Sequence, residues 1–259
     1  YLDRVVDSLR SAGYSISAAV VPPGEGEKNW QRAGDLLSRC VEERLDRRSF
    51  IVALGGGVIG DLAGFVAAVY MRGIAFVQVP TSLLAQVDAS VGGKVAVNHP
   101  AGKNLLGAFH QPRLVVADTD VLNTLPDREL AAGMAEVVKH GLIRDPDLYA
   151  YVRRNSERFR RRDPEALQRA VVDSCRIKAG VVGRDEREQG ERAVLNFGHT
   201  VGHAIEAAAG YGTYTHGEAV AIGMVAELML SARIGDVRQE DVTALVQLLH
   251  ALGLPSRPA

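Results

Sequence analysis

The chain has 259 residues with 30 Lys and Arg against 31 Asp and Glu, a formal charge of −1 that argues against a nucleic-acid-binding face. Hydrophobic residues are 47%, charged residues 24% and aromatics 5%, with 27 Gly, which excludes a disordered or collagen-like chain and suits helices packed on a parallel sheet. Cys40 and Cys175 form no Cys-x-x-Cys pair and no apolar run reaches the roughly 18 residues of a membrane span, so a reducing cytoplasm and no membrane partner are expected.

Leu2 to Ala12 has helical spacing, and Ser15 to Val21 is a short β-rich run. Trp30 to Leu45 is an amphipathic helix with Ala33, Leu36, Leu37 and Val41 on one face. Phe50 to Leu54 reads as a strand buried on both faces that turns through Gly55-Gly56-Gly57 into a helix over Val58 to Met71. Phe76 to Pro80 and Leu114 to Ala117 add two strands, which predicts βαβ crossovers and a doubly wound, mostly parallel sheet. The stretch from Gln86 to Asn104 is glycine-rich, polar and cationic with little periodicity, and is expected to be an active-site loop. Beyond Pro126 the β signal ends. Helices are predicted over Arg128 to Ile143, Asp147 to Phe159, Pro164 to Val182, His199 to Ala209, Gly217 to Ile234 and Asp241 to Leu252. The expected fold is thus an α/β nucleotide-binding domain over residues 1–127 followed by an all-α metal- and substrate-binding domain over 128–259. The six arginines between Arg153 and Arg162 read as a solvated helix end.

Three constellations carry chemistry. Gly55-x-Gly57-x-x-Gly60 follows a strand and opens a helix, where backbone amides can hold a pyrophosphate, although the acidic residue expected about 20 positions later is missing. His199 and His203 lie one helical turn apart, with His216 thirteen residues further on. Two of these histidines with Glu136, Glu206 or Glu218 would make a catalytic metal site with an open position. Spacing favours His199 with His203 and leaves the choice open. Lys94, Lys103, Lys139, Lys178 and Arg192 accompany these stretches and suggest a multiply anionic small substrate.

Gly55 to Asp61, Pro80 to Lys94, Gly102-Lys103-Asn104, Leu195 to Glu206 and Tyr214-x-His216 to Met224 occur in order across nearly the whole chain, and together they resemble the 3-dehydroquinate synthase family. The resemblance implies a shikimate-pathway lyase that turns 3-deoxy-D-arabino-heptulosonate 7-phosphate into 3-dehydroquinate and phosphate, with catalytic NAD and a divalent metal, zinc or cobalt. It implies Glu136, His199 and His216 as metal ligands. Glu25, Lys28, Gly56, Gly57, Asp61, Thr81, Ser82, Leu84, Lys94, Lys103, Thr124, Leu125 and Glu129 match NAD-contacting positions. Asp88, Lys94, Lys103, Asn104, Lys139, Lys178, Arg192, Asn196 and His203 match the substrate site, and Arg72 matches an arginine that reaches the neighbouring subunit, which implies a homodimer. Ser82 and Val95 stand where the family often has Thr. Family chains extend beyond both ends, so a trimmed chain is expected.

The implied reaction oxidises the substrate's C5 carbinol, which acidifies the C6 proton. Phosphate then leaves by β-elimination, the ketone is reduced, and the ring opens and closes by an intramolecular aldol step. The nearest alternative is a secondary-metabolic cyclase acting on sedoheptulose 7-phosphate or glucose 6-phosphate; Lys178, Arg192 and Asn196 favour the synthase because its substrate carries a carboxylate. A polyol dehydrogenase and a non-catalytic domain of the same fold are the more distant readings.

Overall fold

The computed structural model describes residues 1–210 and 212–258. They form two compact units, one of residues 1–79 and 93–116, the other of residues 80–92 and 117–259. Each unit has its own apolar core, the first around Leu62, Phe65 and Phe76, the second around Met134, Val138, Leu167 and Met224.

The first unit opens with α1 (Leu2–Ser11) and α2 (Trp30–Glu42), the latter capped by the Asn29 side chain, which accepts from the Arg32 amide. Strand β1 (Phe50–Gly55) runs into α3 (Gly57–Val69), and β2 (Ala75–Pro80) follows. β3 (Lys94–His99) and β4 (Gly102–Phe109) form an antiparallel hairpin, and β5 (Leu114–Val115) returns to the sheet, whose order is β1-β2-β5. β5 pairs parallel to β2, with Val77 opposite Leu114.

The second unit is helical apart from its connections. A π turn over Ala85–Ala89 precedes α4 (Asp127–Arg144), α5 (Pro146–Arg154), α6 (Ser156–Arg160), α7 (Pro164–Arg184), α8 (His199–Ala209), α9 (His216–Ile234) and α10 (Gln239–Ala251). Asp145 and Asp163 cap α5 and α7, and Thr215 with Glu218 forms a capping box on α9. No helix among the described residues is long and apolar enough to cross a membrane.

Three expectations are corrected. Ser15 to Val21 forms no strand and pairs with none among the described residues, because β propensity supplies no partner edge. The helix expected from Asp147 to Phe159 is two helices, broken at Asn155, whose side chain donates to the Tyr151 carbonyl and competes with the helical ladder. The stretch from Gln86 to Asn104 is ordered structure, the π turn and then the β3–β4 hairpin; its glycines masked the short Val95–Val97 strand signal.

Candidate active site

The second unit gathers most of the ionisable residues singled out from sequence. Glu136 lies on α4 with its side chain fully buried, and three groups face it. Lys139 Nζ is 2.5 Å from Oε2, while His199 Nε2 and His216 Nε2 stand 3.6 and 3.7 Å from Oε1. These are charge contacts: neither carboxylate oxygen meets hydrogen-bond geometry with a partner. Burial by itself would raise the Glu136 carboxyl, but Lys139 and the two histidines outweigh it and hold the group well below the usual carboxylate range.

The histidines reach this point because α8 and α9 approach closely. Gly198, at φ 79°, takes the left-handed turn into α8, and a Cβ there would meet Met224 Cγ at 2.6 Å. A Cβ on Gly223 would run into the Gly198 carbonyl oxygen, so glycine at 223 lets α9 pass directly against the start of α8. Glu227 of α9 anchors the same turn by accepting from the Gly198 amide at 2.7 Å. His199 Nδ1 lies 3.2 Å from the Phe197 carbonyl and His216 Nδ1 lies 3.5 Å from Glu206 Oε2. Burial lowers His199 to about 4, whereas the paired carboxylates Glu136 and Glu206 overcome burial and raise His216 to about 9.

Glu136, His199 and His216 offer ligand atoms within 4.8 Å of one another. His203 groups instead with Glu206 and His216, and its ring centroid is 5.4 Å from that of His199. Among the described residues, no carboxylate group joins His199 and His203 as a metal set, the pairing that spacing alone favours. Glu218 is committed elsewhere: it caps α9 and pairs with Arg128. A buried carboxylate without hydrogen bonds, faced by two imidazole nitrogens, suits a divalent cation with an open position.

Beside this set lie two buried cations, Lys178 and Arg192. Lys178 of α7 is buried and touches the π turn twice, donating to the Asp88 carbonyl at 2.6 Å and pairing with its carboxylate at 2.7 Å. Burial opposes the Asp88 charge, but Lys178 holds the carboxyl down at about 2. Arg192 is 2% exposed and donates to the carbonyls of Gly92 and Glu186. Asp185 shapes that loop by accepting from the amides of Gln189, Gly190 and Arg192, and Asn196 donates to Glu188. Thr81, Ser82 and Leu84 lead into the π turn, Thr124 and Leu125 end the turn before α4, and Glu129 lies in its first turn. The arginine run is a surface network, with Arg158 on Asp163 and Glu165 and Arg162 on Asp127.

The remaining residues belong to the first unit. Gly56 caps α3 and Gly57 begins it. Lys28, 5% exposed, pairs with Asp61 at 2.9 Å and Glu25 at 3.1 Å, so three expected cofactor residues meet; burial would lower the lysine, and the two carboxylates raise it. Lys94 opens β3, and Lys103 and Asn104 lie on β4, where Asn104 at φ 56° donates its amide to Asn98. Arg72 at φ 69° follows Met71 at φ 50°, two successive side-chain-bearing residues in the left-handed region.

Sequence reasoning missed His140 and Glu227. His140 is fully buried next to Lys139, with neither ring nitrogen hydrogen-bonded, and shares a cluster with Asp88 and Glu136. No spacing signal singled it out. Glu227 interrupts the apolar run of α9, and that interruption was its signal.

The 3-dehydroquinate synthase N-terminal family model matches residues 18–132, and the 3-dehydroquinate synthase C-terminal model matches residues 133–259. A 3-dehydroquinate synthase of Desulforamulus reducens is 53% identical over 256 residues, covering 99% of this chain and 71% of its own length. Among solved structures, a 2-epi-5-epi-valiolone synthase from Streptomyces hygroscopicus with NAD+ and Zn2+ bound superposes with a TM-score of 0.94 at 26% identity, covering 100% of this chain and 72% of that one. A 2-deoxy-scyllo-inosose synthase complexed with carbaglucose-6-phosphate, NAD+ and Co2+ gives 0.85 at 36% identity, covering 92% of this chain and 65% of that one.

Proposed function

The chain belongs to the 3-dehydroquinate synthase family, and from that premise we propose how its residues serve the conversion of 3-deoxy-D-arabino-heptulosonate 7-phosphate to 3-dehydroquinate and phosphate. The observation that carries the reading is the buried, hydrogen-bond-free Glu136 faced by His199 and His216 beside a lysine-rich shell. Those three residues hold the divalent metal, and Glu25, Lys28, Gly56, Gly57 and Asp61 serve NAD, with Thr81, Ser82, Leu84, Thr124, Leu125 and Glu129 as further cofactor positions. When bound, the metal polarises substrate oxygens and NAD stores a hydride within one turnover.

The protein's own groups do the rest. Lys139 keeps Glu136 ionised, and a charged Glu136 is the form that can ligate a cation. Two contacts of Lys178 go to Asp88, which fixes its ammonium where its remaining proton can meet a substrate anion. Arg192, held by two carbonyls, and Asn196 bind the carboxylate end, and His203 stands on the substrate side of the histidine cluster. Lys94, Lys103 and Asn104 of the first unit bind substrate as well, and the lysines also serve the cofactor. Lysines near the leaving phosphate stabilise its departing charge.

We divide the roles at Asp127, with NAD binding in 1–127 and metal and substrate binding in 128–259. Arg72 acts on the neighbouring protomer of a homodimer, and its left-handed backbone fits a functional constraint. The two unpaired cysteines support a cytoplasmic setting. Substitution separates the roles. Glu136→Ala or His216→Ala is expected to lose tight zinc binding and turnover, whereas Lys178→Ala keeps one zinc by elemental analysis and raises KM tenfold or more, about 1.4 kcal/mol of binding. Retained zinc in both ligand variants would contradict the assignment.

A further inference from the structure

The histidine that stands between two carboxylates is His216: Nε2 faces Glu136 Oε1 at 3.7 Å, and Nδ1 faces Glu206 Oε2 at 3.5 Å. Glu206 is 6% exposed and lies on α8 two turns beyond His199. An imidazole binds a cation through a nitrogen lone pair, and the proton must then sit on the other nitrogen, where an acceptor fixes both tautomer and ring orientation. His199 shows the same arrangement with a different acceptor, its Nδ1 lying 3.2 Å from the Phe197 carbonyl while Nε2 faces Glu136. Both rings therefore turn Nε2 inward and Nδ1 toward an oxygen. The backbone carbonyl behind His199 comes with any sequence, whereas the acceptor behind His216 depends on one side chain.

We propose that Glu206 is a positioning residue: it accepts the Nδ1 proton of His216 and so presents Nε2 of that histidine to the metal, without ligating the metal itself. The inference rests on the metal-site reading above. Glu206 also groups with His203 and His216 as a possible ligand set, so the two roles need separating.

The test is zinc affinity of the wild type, Glu206→Ala, Glu206→Gln and His216→Ala by competition with a chromophoric chelator, with circular dichroism to check folding. Glu206→Ala is expected to bind zinc about tenfold to hundredfold more weakly than wild type. Glu206→Gln, whose amide oxygen still accepts the proton, recovers part of that loss. The cobalt-loaded Glu206→Gln protein keeps the wild-type visible spectrum, since no ligand has changed, and imidazole 15N shifts show the His216 proton on Nδ1 in the zinc-loaded wild type. A folded Glu206→Ala protein that holds zinc as tightly as wild type overturns the proposal, as does a cobalt spectrum altered by Glu206→Gln, which would make Glu206 a ligand. If His216→Ala also binds zinc as tightly as wild type, the metal site itself has been misassigned and both readings fall.

Discussion

Around Glu136 the second unit gathers Lys139, Lys178, Asp88, Glu206 and three histidines, His140, His199 and His216, and pairing and burial together set the charge of the carboxylates and imidazoles. Burial lowers His140, like His199, to about 4, so it stays neutral at physiological pH. The unfolded chain takes up that proton near pH 6.5 and the folded chain only near 4, so stability is full above 6.5 and declines as pH falls through this window. The shift corresponds to about 3 kcal/mol. Urea denaturation of the metal-free protein at pH 7 and pH 4.5 should show the wild type losing more stability than His140→Gln; equal losses would show that His140 does not set this pH dependence. The proposed metal ligands were visible in sequence as residue types, and Glu206 as a candidate carboxylate, but spacing ranked the His199–His203 pair first. That ranking uses one helix, whereas the Glu136 set draws on α4, α8 and α9, which only packing brings together.

The helical signals of α7 and α9 were strong because each joins a cap to a run of apolar positions, Asp163 before α7 and the Thr215–Glu218 box before α9. The Gln86–Asn104 stretch was opaque because a π turn has no sequence period and the hairpin strand β4 is largely exposed, leaving few apolar positions to read. Close packing of α8 on α9 is the element-level device that sets the histidines, and Gly223 is its narrowest point. Gly223→Ala should therefore push the helices apart, lower stability by about 1–3 kcal/mol and weaken zinc binding together. Thermal melting with and without zinc checks this: loss of stability with zinc affinity intact would uncouple the helix contact from the site.

At the scale of the molecule, the parallel sheet and the helical half were legible from the change of periodicity near Pro126, while the attachment of residues 80–92 to the helical unit was not, since it depends on Lys178 and Cys175 of α7 reaching back to the π turn. The proposed homodimer, with Arg72 serving the partner's site, offers a further prediction. Arg72→Ala and His216→Ala homodimers should each be inactive, yet mixing them should restore about half the wild-type activity per heterodimer, because one site then has both its own His216 and its partner's arginine. No recovery after verified subunit exchange would place Arg72 in its own subunit's chemistry.

Phosphate release is the readout of the proposed reaction. The protein with NAD and zinc is offered 3-deoxy-D-arabino-heptulosonate 7-phosphate and, in parallel, sedoheptulose 7-phosphate. Phosphate is expected from the first substrate with no net NADH, and little from the second, which lacks the carboxylate that Arg192 and Asn196 are proposed to bind. Phosphate from the second substrate alone, or accumulating NADH without phosphate, would contradict the proposed reaction.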